Sequence, residues 1–344
     1  MIKFRTIGAA PAVIAGVMTM TGIAMAETPA AFYAGKTVTF IVGAPPGGTY
    51  GLYGQVLAHH IGAHIPGKPT VVVKFHGASS GGMLAANYMQ NAATKDGTTI
   101  GMTQQTIPIN QIMRPESVKY DVRLWQWVGG MAPVRNMLGV WHTAPAQTIE
   151  QAKKVEVIVG ATGKSSPTYI TPTLLNEFVG TKFKVVRGYK GVAGLNLAME
   201  RGEIFGRGAS WMSIKLDKAE WVRDKKFKVL AIDAATKQPD LPDVPRLLDL
   251  VQDPRKRKIL ELVGVSAEFG RAVFMPPGTP ADRVAAMRTA FNETLKDPAL
   301  LAEAKERKME IEPQTAAELE EMVKRIFDAP ADVIEAARKA MGGE

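Results

Sequence analysis

The alternation of hydrophobic and polar positions first resolves into an element at residues 37–42. There Val38, Phe40 and Val42 alternate with Thr39 and Ile41 in a short β-branched run, which predicts a buried strand. Pro45-Pro46-Gly47-Gly48 can continue neither a ladder nor a helix. Apolar positions resume with helical spacing at Leu52, Val56 and Leu57, so a helix is predicted from about Tyr50 to His64. The rhythm then repeats. Residues 70–75 read as a strand, Gly77 to Gly82 as a Gly-rich turn, Met83 to Gln90 as a helix, and 98–103 as a third strand after the turn Asp96-Gly97. A β-α-β-α-β order implies a parallel sheet covered by helices.

Val128 to Val140 is apolar and Gly-containing and is expected to cross from one lobe to another. A helix at 148–153, a strand at 156–160, the turn 161–167 and a helix at 169–180 then rebuild the opening architecture. Strands follow at 183–186, 204–210 and 229–232, with helices at 191–200 and 254–262. A last strand at 269–275 returns to the first lobe, and from Ala281 the chain is helical with breaks near Pro298, Pro313 and Pro330. The predicted fold class is α/β, with two lobes, each a mainly parallel sheet flanked by helices. Lobe 1 takes 27–136 plus 264–344, lobe 2 takes 137–263, and a ligand cleft lies between them. The turns at Gly47, Gly77 and Ser165 all follow strand ends, where ligands of open α/β sheets sit. Each opens a helix whose first N–H groups and positive dipole end are free, a device suited to a carboxylate.

Composition narrows this picture. A chain of 344 residues with 46% hydrophobic and 22% charged residues suits two globular domains. Residues 1–26 read as a signal peptide: Lys3 and Arg5, an apolar stretch from Ile7 to Ile23, then Ala24-Met25-Ala26, leaving Glu27 as the first mature residue. Pro11 and interspersed Thr and Gly argue against a membrane span there, so export to a periplasm is expected. The lack of cysteine excludes a disulfide framework, thiolate catalysis and Cys-ligated zinc. The formal net charge is +9, two of it from Lys3 and Arg5. Outside the cytoplasm, that balance favours anionic small molecules over nucleic acid.

Other motifs compete. Gly77-Ala78-Ser79-Ser80-Gly81 matches the nucleophile-elbow pattern between a strand and a helix, with His142 as the one histidine that follows. A secreted serine hydrolase is therefore the alternative, although Gly/Ser turns of this kind are common before helices. Gly160 to Ser165 resembles a phosphate loop but has Ile158 where the first glycine should stand. His59, His60 and His64 have no carboxylate close in sequence and read as a polar helix face rather than a metal site. Arg255-Lys256-Arg257-Lys258 reads as a solvated face, with a docking patch as the minor reading. Trp125, Trp127, Trp141 and Trp221 read as core, and Trp211 as a cleft wall.

Six segments in order carry a family resemblance: Val42-Gly43-Ala44-Pro45-Pro46-Gly47-Gly48, the Gly77 to Gly82 turn, Lys95-Asp96-Gly97-Thr98-Thr99-Ile100, Gly188-Tyr189-Lys190-Gly191, Leu241-Pro242-Asp243-Val244-Pro245 and Met275-Pro276-Pro277-Gly278-Thr279-Pro280. The chain resembles the extracytoplasmic solute receptors of tripartite tricarboxylate transporters, the Bug family. The resemblance implies a two-lobed periplasmic-binding-protein fold of type II that closes on a small carboxylate. It implies that the carboxylate is held by the turns Gly47–Gly51 and Gly163–Thr168, and that the receptor docks on one large and one small membrane subunit. The expected ligand-binding residues are Gly47, Gly48, Thr49, Tyr50, Gly51, Ser79, Thr103, Gln104, Thr162, Gly163, Ser165, Ser166, Thr168, Tyr189, Arg207, Ser210 and Trp211. No catalytic residue, metal or cofactor is expected, and the receptor is read as a monomer. Gly51 stands where many relatives carry an acidic residue. Arg207 either faces the cleft, where a guanidinium holds a carboxylate bidentately, or pairs with Glu200 or Glu203 at the surface. Sequence does not separate transport from a ligand-sensing subunit of a signalling system.

Overall fold

A computed structural model describes residues 1–2, 27–77, 82–234 and 237–341. Its strands are β1 (Thr37–Val42), β2 (Thr70–Phe75), β3 (Thr99–Met102), β4 (Gln126–Gly130), β5 (Asn136–Trp141), β6 (Val157–Ala161), β7 (Phe183–Arg187), β8 (Gly206–Ser210), β9 (Phe227–Asp233), β10 (Ala272–Met275) and β11 (Gln314–Thr315). They form a six-stranded sheet, β11-β4-β10-β3-β1-β2, and a five-stranded sheet, β7-β6-β8-β5-β9. β1 is parallel to β2 and β3, and β6 is parallel to β7 and β8. β10 is antiparallel to both of its neighbours, and so is β5. These two strands are the ones that enter a sheet from the other lobe. A strand arriving through the hinge starts at the cleft, where its neighbours end, so it runs against them.

The predicted crossing at 128–140 is two strands, β4 and β5, joined by a short link at 131–135. The return link at 269–271 presses against it, since a Cβ on Gly270 would lie 2.0 Å from the Ala132 carbonyl oxygen. Helix Pro254–Glu268 is longer than predicted and runs unbroken past residue 263. Four helices escaped the sequence reading: Pro29–Tyr33, Ile107–Met113, Trp211–Asp217 and Ala219–Arg223.

β1 is buried on both faces, which explains its near-continuous apolar run. Helix Thr49–His64 covers one face with Tyr53, Val56, Leu57 and Ile61, and helix Ala281–Thr294 joins the same core. A second core joins the lobes: Trp125 stacks on Phe274 at 3.8 Å, and the same apolar cluster continues through Leu138 and Val157 to the C-terminal helices. Trp141 and Trp221 pack edge to face in a third core in the second lobe. Contrary to the sequence reading, the histidines of helix Thr49–His64 do meet carboxylates. Helix Pro298–Glu306 lies alongside and brings Glu303 to His59 and His60, while its N-cap, Asp297, reaches His64. A separation of more than 230 residues hid that contact.

Candidate functional site

The strand ends and helix starts surround a cavity of about 90 Å3 between the two sheets. The first sheet contributes Ala44, Pro45, Gly47, Gly48, Thr49, Tyr50, Gln104 and Gln105. The second contributes Asn136, Thr162, Ser166, Pro167, Thr168, Gly191, Val192, Ala209, Ser210 and Ser213, and Val134 closes the hinge side. Among the described residues, no side chain on this wall carries a charge. Instead, four helices begin there: Thr49–His64, Pro167–Val179, Gly191–Glu200 and Trp211–Asp217.

Two of those starts are uncapped by side chains. Gly48 holds φ at +97°, a conformation that favours glycine, and leaves the N–H groups of Thr49, Tyr50 and Gly51 without an acceptor among the described residues. Lys190 likewise offers no side-chain cap to the helix that Gly191 opens. The other two are capped internally. Ser166 Oγ accepts from Thr168 N–H at 3.2 Å, and Ser210 Oγ accepts from Ser213 N–H at 3.2 Å. The Thr168 hydroxyl also lies 3.2 Å from that of Thr162 and 2.9 Å from that of Ser166, and accepts from Thr162 N–H at 3.0 Å. That turn is a self-satisfied hydroxyl cluster. The Ser166 N–H is itself donated to the Gly163 carbonyl at 3.1 Å.

A polar relay backs the cavity and crosses between the sheets. The Tyr50 hydroxyl bonds to Gln105 Oε1 and accepts from Gln105 N–H at 3.0 Å. Gln105 Nε2 donates to Asn136 Oδ1 at 3.0 Å, and the Asn136 side chain bonds to Asp233. Burial pushes Tyr50 up to about 12, against the pull of Arg271, so this phenol stays neutral. Arg271 is buried at the hinge, donates to the Pro133 carbonyl at 2.8 Å and sits 5.6 Å from the Tyr50 ring centroid. It is a cation placed behind the cavity rather than in it. The lobes are latched on both sides of the cavity. Thr106 Oγ1 and Asn110 Nδ2 donate to the Ser165 carbonyl at 2.8 and 3.0 Å, and Lys215 bridges Asp240 and Glu310.

Burial, with Glu268 adding repulsion against the Asn136 bond, lifts Asp233 to about 6. An acid whose folded value is raised costs stability where it is ionised, so that cost is full above about pH 6 and absent below the unfolded value. Asp233→Asn is expected to raise stability by about 1–2 kcal/mol at pH 7.5, after discounting for partial solvent screening. The gain should fade between about pH 6 and pH 4, and parallel unfolding curves of both forms across that range check it.

Of the residues expected from sequence, Gly47, Gly48, Thr49, Tyr50, Gln104, Thr162, Ser166, Thr168 and Ser210 come together on the cavity wall. Gly51, Thr103, Gly163, Ser165, Tyr189, Arg207 and Trp211 do not line it. Ser165 instead gives its carbonyl to the latch. Trp211 is 4% exposed and donates its indole N–H to Asp240, so it is a core residue and not a cleft wall. Arg207 fits neither reading made of it. It is fully buried, its guanidinium meets no hydrogen-bond acceptor among the described residues, and Glu200 and Glu203 pair with Lys218 and Arg201 instead. Burial lowers it to about 10, against the attraction of Asp217. Ser79 lies outside the described residues. His142 follows the far end of β5, roughly 20 Å along the strand from Asn136 at the cleft. Gln105, Asn136 and Ser213 were missed. A signal for Gln105 was present, because Pro108 in the first turn after Thr106 marks a helix start.

With this geometry in hand, comparison with known proteins is informative. Residues 56–337 match the tripartite tricarboxylate transporter family receptor. No curated protein sequence matches significantly. Among solved structures, a periplasmic transporter is similar at 22% identity and a TM-score of 0.69, covering 89% of this chain and 98% of that one. The periplasmic binding protein BugD is similar at 18% identity and a TM-score of 0.66, covering 90% and 98%. MatC from Rhodopseudomonas palustris, solved with bound malate, is similar at 17% identity and a TM-score of 0.65, covering 89% and 99%. These likenesses establish a two-lobed periplasmic-binding fold. The extent of the family match settles the rest: the chain belongs to the receptor family of the tripartite tricarboxylate transporters.

Proposed function

We propose that this protein is exported to the periplasm, where it captures a small carboxylate between its lobes, without chemistry, and presents the loaded form to a large and a small membrane subunit. The observation that carries this reading is a cavity with no charged side chain on its wall among the described residues and four helix N-termini around it. Neutral donors at helix starts hold an anion well and reject a cation. The free N–H groups of Thr49 and Tyr50 take one carboxylate, and the Thr49 hydroxyl and Gln104 amide add bonds that no neighbour already uses. The malate bound by MatC supports a ligand of this class and size. The links at 131–135 and 269–271 act as the hinge, and the segments they join act as the two lobes.

A thermal-shift screen tests the reading with di- and tricarboxylates, aromatic acids, amino acids, amines and sugars. A cognate acid at about 100 times its Kd should stabilise the protein by about 2.7 kcal/mol and raise Tm by several degrees. A shift with amines or sugars alone sinks the proposal.

A further inference from the structure

We propose that His59, His60 and Glu303 form a binding site for Zn2+ or a similar divalent transition ion on the flank of the first lobe. This site is separate from the ligand cavity and does not depend on the carboxylate reading. His59 Nδ1 and His60 Nε2 lie 2.9 and 2.8 Å from the same atom, Glu303 Oε2. All three ligand atoms lie within 4.8 Å of one another. Two neighbouring residues on a helix normally point apart, so their convergence on one oxygen is a specific arrangement. The other carboxylate oxygen is held by Arg307 Nε at 2.9 Å, which fixes the orientation of the group.

Two imidazoles and one carboxylate are a usual zinc donor set, with the fourth position left to water. Zinc bonds of about 2.0–2.1 Å place tetrahedral ligands about 3.3–3.5 Å apart, so the two short edges need open by only about half an ångström. The ion replaces the protons that the imidazoles present to Glu303. His60 and Glu303 are 13% and 18% exposed, while His59 is 72% exposed and gives the ion a route in. One ligand pair comes from helix Thr49–His64 and the third ligand from helix Pro298–Glu306. The bound ion therefore staples the helix that opens the cavity to the C-terminal part of the chain.

The test is calorimetric titration of ZnCl2 into tag-free, chelator-treated protein, with Tm read alongside. The expected result is one Zn2+ per chain and a Zn2+-dependent rise in Tm of a few degrees. His59→Ala, at an exposed position that leaves the fold intact, and Glu303→Gln, which keeps the shape of the side chain, should each weaken binding at least about tenfold. His64→Ala should leave binding unchanged. Absence of binding up to 100-fold excess Zn2+, retention of wild-type affinity in both site variants, or equal loss in His64→Ala would overturn the proposal.

Discussion

Alanine at position 51 is expected to abolish ligand capture and to lower stability by about 3 kcal/mol. A Cβ there would lie 2.2 Å from the Pro46 carbonyl oxygen, 2.6 Å from its carbon and 2.7 Å from the Pro45 oxygen. These are backbone atoms, so no rotamer change relieves the clash and the turn itself must open. Opening it displaces the Thr49 and Tyr50 N–H groups that the proposed carboxylate needs. Gly194→Ala is the matching control, because nothing lies within 4 Å of the added carbon, the backbone there does not require glycine, and the residue does not line the cavity. That variant should bind within about threefold of wild type and lose less than about 0.5 kcal/mol. Titration of the acid found by screening, with thermal unfolding of each variant, decides the matter. Wild-type affinity in the Gly51 variant would contradict the role given to this turn. The same clash explains why an acidic side chain has no place here.

Replacing Arg207 with methionine is expected to stabilise the protein by about 2 kcal/mol and to leave ligand affinity unchanged. A buried guanidinium without hydrogen bonds costs stability, since desolvation is uncompensated. Its one attractive neighbour, Asp217, is exposed and has Lys218 beside it, so removing the cation strands no buried charge. Methionine fills similar space with a flexible apolar chain. In β8, Arg207 pairs with Gly139 on one side and Gly160 on the other, and the space those glycines leave is filled by Phe227 and by Ile204 and Leu195. A rise in Tm of several degrees with unchanged titration curves is the expected outcome. A loss of binding would instead return Arg207 to the ligand.

The alternation around β1, the Pro-Gly turn and the helix after it were legible because local chemistry dictates them: a proline cannot extend a ladder, and a left-handed cap needs a glycine such as Gly48. The two-lobe order was legible from the repetition of that unit. Links that depend on distant partners were not. Nothing near His59 predicts Glu303, and nothing near Ser165 says that its carbonyl will be taken by Thr106 and Asn110. Arg207 shows the same limit from another side. A strand-end arginine suggests a ligand contact, but which face it takes depends on pairing with Gly139 and Gly160, which only the assembled sheet reveals. Helix Trp211–Asp217 was missed because its start is set by the Ser210 cap rather than by an apolar stripe, and it carries Trp211 into the core.

The place of β10 in the larger sheet bears on how the chain comes together. β10 sits between β3 and β4, so until residue 275 has been made the first lobe is two fragments with a missing seam. The second lobe, by contrast, takes all its strands from one uninterrupted stretch and can assemble while the first still waits. Such long-range closure is slow and leaves unpaired edges exposed for longer. Under the proposed export that delay favours passage, because a half-built lobe stays loose enough to pass through a narrow channel before it seals on the far side.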